Sequence, residues 1–209
     1  MIPRMNIAIL GAGNVGSALA RLWAGQGHTV TFGLKPGSNP RNPMPAGVSA
    51  AAIPDAVAAA AVVTLCVPWP AAEAAVRSAG PLAGKVLIDA TNPLKDDLSG
   101  LELGTTTSAA EQVAAWAGRT RVVKAFNTIG AMLYGNADIA GMRADGFYCG
   151  DDADAKREVA TLITDAGLDP IDVGPLRMAR ALEPMALLWI DLAVRQKRPL
   201  PFGFKLLRG

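Results

Sequence analysis

The stretch GAGNVG at residues 11–16 follows the apolar run MNIAIL (5–10) and leads into a helical pattern, and this junction limits the fold more than any other part of the chain. Each of its three glycines, spaced Gly11-x-Gly13-x-x-Gly16, has its own physical use. Gly11 permits a tight turn, Gly13 lets the backbone approach a pyrophosphate, and Gly16 lets the helix pack closely on the strand. The helix start, with Ala12, Asn14 and Val15 around it, offers unpaired N–H groups and a partial positive charge to an anion. A dinucleotide-binding turn is expected here; the alternative is a turn that is glycine-rich for packing alone.

Further apolar runs at 28–33, 62–68, 85–91 and 121–126 alternate with helical patterns at 14–25, 71–79 and 108–117. This alternation predicts an α/β fold of Rossmann type, a doubly wound and mainly parallel sheet covered on both faces. Loops are expected at 35–46 and 95–106. Beyond Asn127 come GFYCG, a helix from near Asp154, a strand at 168–174 and a last helix over 177–195. Residues 1–126 are therefore expected to form the nucleotide-binding domain. Residues 127–209 would form a small C-terminal α/β lobe that completes the sheet and the acceptor cleft without folding independently.

With 209 residues, 51% apolar and 18% charged, the chain can bury one sizeable core. Cys66 and Cys149 are too few for a disulfide framework. No uninterrupted apolar run is long enough to span a bilayer, and the N-terminus shows no cleavage-site signature, so a cytoplasmic protein with no membrane partner is expected. The net charge of +2 argues against nucleic acid as a partner. From residue 177 onward, Arg177, Arg180, Arg195, Lys197, Arg198, Lys205 and Arg208 face only Glu183 and Asp191, a run that reads as a solvated face.

In NAD-binding chains an acid near the end of the second strand holds the ribose hydroxyls. No acid lies between His28 and Asn42 here. Lys35, Ser38 and Arg41 would instead attract a 2′-phosphate, which predicts NADP rather than NAD; the alternative is that Lys35 is a solvated loop residue. Other strand ends read Val67-Pro68-Trp69, Thr91-Asn92-Pro93 and Phe126-Asn127-Thr128. Val67 and Pro68 are expected to support the nicotinamide ribose, Trp69 and Phe126 to form apolar walls, and Asn92 and Asn127 to hydrogen-bond ribose or ring amides. Ordinary turn chemistry is the alternative for each.

Carbonyl reduction needs a positioned proton donor. His28 starts the second strand, at the edge opposite the expected site. Lys124, near the end of a buried strand, is a weak candidate, and Tyr134 and Tyr148 have no recognisable catalytic partner. No His/Cys spacing suits a metal, and Asp152 or Asp154 reads as a helix cap. No catalytic side chain is therefore assigned. An acceptor whose rings spread the charge, a flavin or deazaflavin, suits such a site, because the protein then mainly aligns two rings.

The segments VPWPAA, YCGDD, DVGPLRMARALEP, FNTIG and FGFKLL, together with GAGNVG, resemble the NADPH-dependent coenzyme F420 reductases. That group includes bacterial proteins similar to the oxidoreductase domain of the STEAP metalloreductases. The resemblance spans nearly the whole chain. It implies NADP(H) across the strand ends, a second ring system stacked on the nicotinamide, a small-molecule redox acceptor and a homodimer. Carried over, Gly11, Asn14, Val15, Lys35, Ser38, Val67, Pro68 and Trp69 fall in the NADP region. Asn127 and Thr128 would align the rings. Thr128, Ile129, Leu206 and Leu207 would lie beside the acceptor. The chain departs from the archaeal pattern in carrying Asn127 in place of a histidine and in lacking, in its second-strand loop, the arginines common in the archaeal members. The function implied is hydride transfer between NADPH and F420. An NADPH-dependent flavin or ferric reductase is the alternative, and a non-catalytic NADP sensor a second one.

Overall fold

The computed structural model describes residues 4–40 and 42–207. Eight strands form one sheet in the order β10-β9-β6-β5-β4-β1-β2-β3. The central strands are β1 (Asn6–Leu10), β2 (Thr29–Leu34), β4 (Val62–Leu65), β5 (Val86–Asp89) and β6 (Arg121–Lys124), all parallel, with β3 (Val48–Ala52) on the outer edge of β2. A two-stranded ribbon, β7 (Asp138–Ile139) and β8 (Met142–Arg143), precedes β9 (Asp145–Gly150). β9 runs antiparallel to β6 and parallel to β10 (Asp169–Asp172), so residues beyond 126 extend the same sheet.

The strands read as continuous apolar runs because both faces are covered. Along β1, Ile7 and Ile9 enter one core while Ala8 and Leu10 enter the other. The first core holds Leu19 and Trp23 of α1 (Asn14–Gly25) and Val159 and Leu162 of α5 (Ala153–Asp165). The second holds Val57 of α2 (Ile53–Ala59), Val76 of α3 (Ala72–Ser78), Val113 of α4 (Ala109–Ala117) and Leu182 of α6 (Ala179–Ile190). A π-helical turn, Asp191–Arg195, continues α6.

Residues 47–61 carry no clear periodicity, yet they form β3 and α2. The alanine-rich VSAAA is an edge strand fixed by pairing with β2, and Pro54 stands in the first turn of α2, where a missing N–H costs nothing. Asp152 caps α5 as expected, accepting from the Ala155 N–H at 2.8 Å. His28 lies at the N-terminal end of β2. Its Nδ1 accepts from the Met5 N–H at 3.1 Å and its Nε2 meets Asp165 at 3.0 Å, which makes it a structural residue remote from the strand ends described next.

Candidate functional site

A cleft of about 510 Å³ opens along the carboxyl ends of β2, β1, β4 and β5. Its floor is the glycine turn. Gly11 has φ +110°, and a Cβ there would stand 2.5 Å from the Cys66 carbonyl oxygen, so only glycine fits between β1 and β4. A Cβ on Gly16 would strike the Gly11 carbonyl, which explains the close packing of helix on turn. At Gly13 the reverse holds: a Cβ would meet nothing within 4 Å, so this backbone faces open space. Gly13 is also the N-cap of α1, no side chain caps that end, and no acid stands in its first turn. The amide donors of a 12-residue helix are thus presented to the cleft without a protein partner. These features fit a dinucleotide's pyrophosphate.

At the β2 end, Lys35, Ser38 and Asn39 line the cleft and are exposed. The Ser38 N–H donates to the Lys35 carbonyl at 3.0 Å, closing a turn that brings both side chains to the same rim. Lys35 is the single charged side chain among the described residues that line the cleft. Arg41 lies outside the described residues. Val67, Pro68 and Trp69 form the wall beyond β4, and Trp69 stacks on Trp116 of α4 at 5.4 Å between ring centroids.

The far end is built differently. Ala90, Thr91 and Asn92 line it, and behind them lies a sealed ionic cluster. Lys124 is wholly buried, with Nζ 2.9 Å from Asp89, 2.9 Å from Glu183 and 2.6 Å from the Thr91 carbonyl. Burial alone would pull the Lys124 ammonium down, but the Asp89 and Glu183 carboxylates outweigh it and hold it above its ordinary value. Asp89 accepts from both the N–H and the hydroxyl of Thr91, at 2.9 and 2.7 Å. Glu183 accepts from the Ala109 and Ala110 N–H groups at 3.0 and 3.2 Å, at the start of α4. Lys124 therefore cannot serve as the proton donor that its place near a strand end suggested; both its charge and its hydrogens are already engaged.

Asn92 and Asn127 form a reciprocal pair. Asn92 Nδ2 donates to the Asn127 carbonyl and Asn127 Nδ2 to Asn92 Oδ1, each at 3.1 Å. Asn127 Nδ2 also donates to the Leu182 carbonyl of α6 at 3.1 Å, while its Oδ1 is buried without a partner. Phe126, expected as a cleft wall, is instead a core residue. It is 3% exposed, holds φ +62°, and packs edge-on against Trp23 and Tyr134, whose hydroxyl donates to the Phe126 carbonyl at 2.7 Å. Burial pushes the Tyr134 hydroxyl up, so it stays a donor. Thr128 and Ile129 are buried behind this turn and do not line the cleft. Leu206 and Leu207 are exposed, with the Leu206 N–H held by Asp145 at 2.6 Å.

A second cleft, of about 520 Å³, adjoins the first at Asn14 and is bordered by Arg21, Met44, Ala131 and Met132. Among the basic C-terminal residues, Arg180 pairs with Glu111, Arg195 with Asp191, and Lys205 with Asp145 and Asp169; Arg208 lies outside the described residues. None of the described ones lines either cleft. Among the described residues no cluster of three or more His, Cys, Asp or Glu could hold a metal, and no helix is long and apolar enough to cross a membrane.

Sequence patterns missed Cys66 and Ala90 in the cleft, and the pairing of Asp89, Lys124 and Glu183 behind it. One signal was available: Asp89 and Lys124 each close a buried, largely apolar strand, and charges placed there must be paired.

Residues 6–93 match the family described as NADP oxidoreductase, coenzyme F420-dependent. Over 181 residues the chain is 30% identical to metalloreductase STEAP3 of Rattus norvegicus, covering 87% of this chain and 36% of that one, so it spans about a third of that curated relative. A solved structure from Sinorhizobium meliloti, of a hypothetical protein, is 29% identical with a TM-score of 0.71 over 84% of this chain and 88% of its own. A candidate F420-dependent NADP reductase from Arthrobacter sp. FB24 is 35% identical with a TM-score of 0.87, covering 98% of this chain and all of that one. With a glycine turn, an uncapped helix start and a basic β2 end in one cleft, and with likeness over the whole length, the chain belongs to the family of coenzyme F420-dependent NADP oxidoreductases.

Proposed function

We propose that the protein transfers hydride between NADPH and the deazaflavin coenzyme F420. One observation carries this reading: among the described residues that line the cleft, Lys35 is the charged side chain where a 2′-phosphate would lie, with no carboxylate beside it, and the other end has no His, Lys or Tyr to act as proton donor. Lys35 and Ser38 hold the 2′-phosphate, the α1 amides and the Gly13 backbone hold the pyrophosphate, and Val67, Pro68 and Trp69 back the nicotinamide ribose. NADPH, when bound, supplies the hydride. Thr91 and Asn92 fix the wall on the nicotinamide side. The second cleft gives the acceptor an approach next to Asn14, where Met44 and Met132 offer adaptable apolar surface. The segment 127–129 supports this region from behind rather than by direct contact.

A deazaflavin takes up a hydride and spreads the charge over its rings, so the residues only have to align donor and acceptor and keep water out. Mixing the protein with NADPH and oxidised F420 is expected to bleach the F420 band, with slower or no reduction of FMN and FAD. Flavin reduction without F420 bleaching would favour the second reading, an NADPH-dependent flavin or ferric reductase, whose ferric form is the one that the likeness to metalloreductase STEAP3 supports.

A further inference from the structure

We propose that the Asp89–Lys124–Glu183 cluster biases the cleft toward the oxidised, cationic form of the nicotinamide, so that the protein favours giving up the hydride. The inference rests on the reading that NADP(H) occupies the cleft with its nicotinamide half at the β5 end.

The cluster sets two carboxylates against one ammonium, with all three side chains almost fully buried. The surplus negative charge is partly spread onto the α4 start through the Ala109 and Ala110 N–H groups. Asp89 and Lys124 both abut the cleft-lining Thr91, Asp89 accepting from its N–H and hydroxyl and Lys124 donating to its carbonyl, so the surplus charge is that of the whole cluster. Its charge also reaches the cleft wall. At Cys66, which lines the cleft, burial raises the thiol and the Asp89 carboxylate raises it further. The other nearby ion pair, Glu111 with Arg180, is balanced and adds no net charge. Reduced nicotinamide is neutral and the oxidised ring carries one positive charge, so a buried surplus of negative charge separates the two forms. At a separation on the order of 10 Å and an effective dielectric constant of about 30, one charge changes the ratio of their affinities by roughly fivefold.

The test measures the dissociation constants of NADP+ and NADPH on the protein alone, by titration without an acceptor. Glu183→Gln removes the surplus charge and is expected to weaken NADP+ relative to NADPH by about fivefold. Asp89→Asn makes the same change from the other carboxylate and must move the ratio in the same direction. The double variant Lys124→Met with Glu183→Gln returns the cluster to one negative charge and must restore the wild-type ratio, whatever it does to stability. Equal changes in both affinities, or no restoration in the double variant, would overturn the inference and leave the cleft assignment standing. Failure of the wild-type protein to bind either nucleotide would remove the cleft assignment itself, and the inference with it.

Discussion

The two ends of the nucleotide cleft are made in opposite ways. At the β2 end, Lys35, Ser38 and Asn39 stand exposed on one turn, and their contribution depends on residues close in sequence. At the β5 end, Thr91 and Asn92 are held by Asp89 of β5, Lys124 of β6 and Asn127 of the turn beyond it, and the charges involved, braced in turn by α4 and α6, are sealed from water. The exposed end can change its chemistry one side chain at a time, and the proposed reading puts nucleotide choice there. At the buried end no member can change without disturbing β5, β6, α4 and α6 together.

The largest test of this contrast is Lys124→Met. It leaves Asp89 and Glu183 buried without their cation, and truncating one partner of such a cluster costs about 3–5 kcal/mol. The denaturation midpoint is expected to fall steeply, while Lys35→Met leaves it nearly unchanged because that side chain is exposed and has no ion-pair partner among the described residues. Equal losses of stability in the two variants would erase the distinction between the ends.

Lys35→Glu addresses function at the exposed end. Reversing the one charge on the cleft rim is expected to weaken NADPH by about 2 kcal/mol or more, roughly thirtyfold, with little change for NADH or in the melting temperature. Parallel losses for both nucleotides would mean that Lys35 does not meet the 2′-phosphate.

The same contrast explains what could be read from the sequence. The glycine turn, the missing acid and the Lys35–Ser38 rim are local patterns with local chemistry, and each falls where the spacing puts it. The parallel strands are legible for a similar reason: a strand buried on both faces must be apolar throughout. β3 and α2 were not legible, because alanine-rich edge elements take their structure from neighbours rather than from periodicity. Phe126 misled for a physical reason as well. Its position at a strand end suggested the cleft, but its positive φ turns the ring back into the core between Trp23 and Tyr134. The partners of Lys124 lie 35 and 59 positions away in the chain, and no spacing rule joins them.

The smallest expected effect concerns a surface counterpart of the buried link. Helices α4 and α6 meet inside through Glu183, which accepts from the Ala109 and Ala110 N–H groups, and outside through Arg180 and Glu111, where Glu111 also completes the cap of α4 with Ser108. The Arg180 hydrogen bonds, assisted by Ser108, hold the Glu111 carboxyl below its ordinary range. A carboxyl lowered in the folded state adds stability above the unfolded value, about 4.3 for Glu, and that stability is lost as pH falls through the folded value. Glu111→Gln is therefore expected to lower the melting temperature at pH 7 by no more than about 3 °C, since a partly exposed pair is screened by solvent. The difference from wild type should shrink as pH drops below about 4. A gap that stays constant down to pH 3 would assign the stabilisation to the Ser108 cap rather than to charge, leaving the Glu183 carboxylate on the Ala109 and Ala110 N–H groups as the charged tie between the two helices.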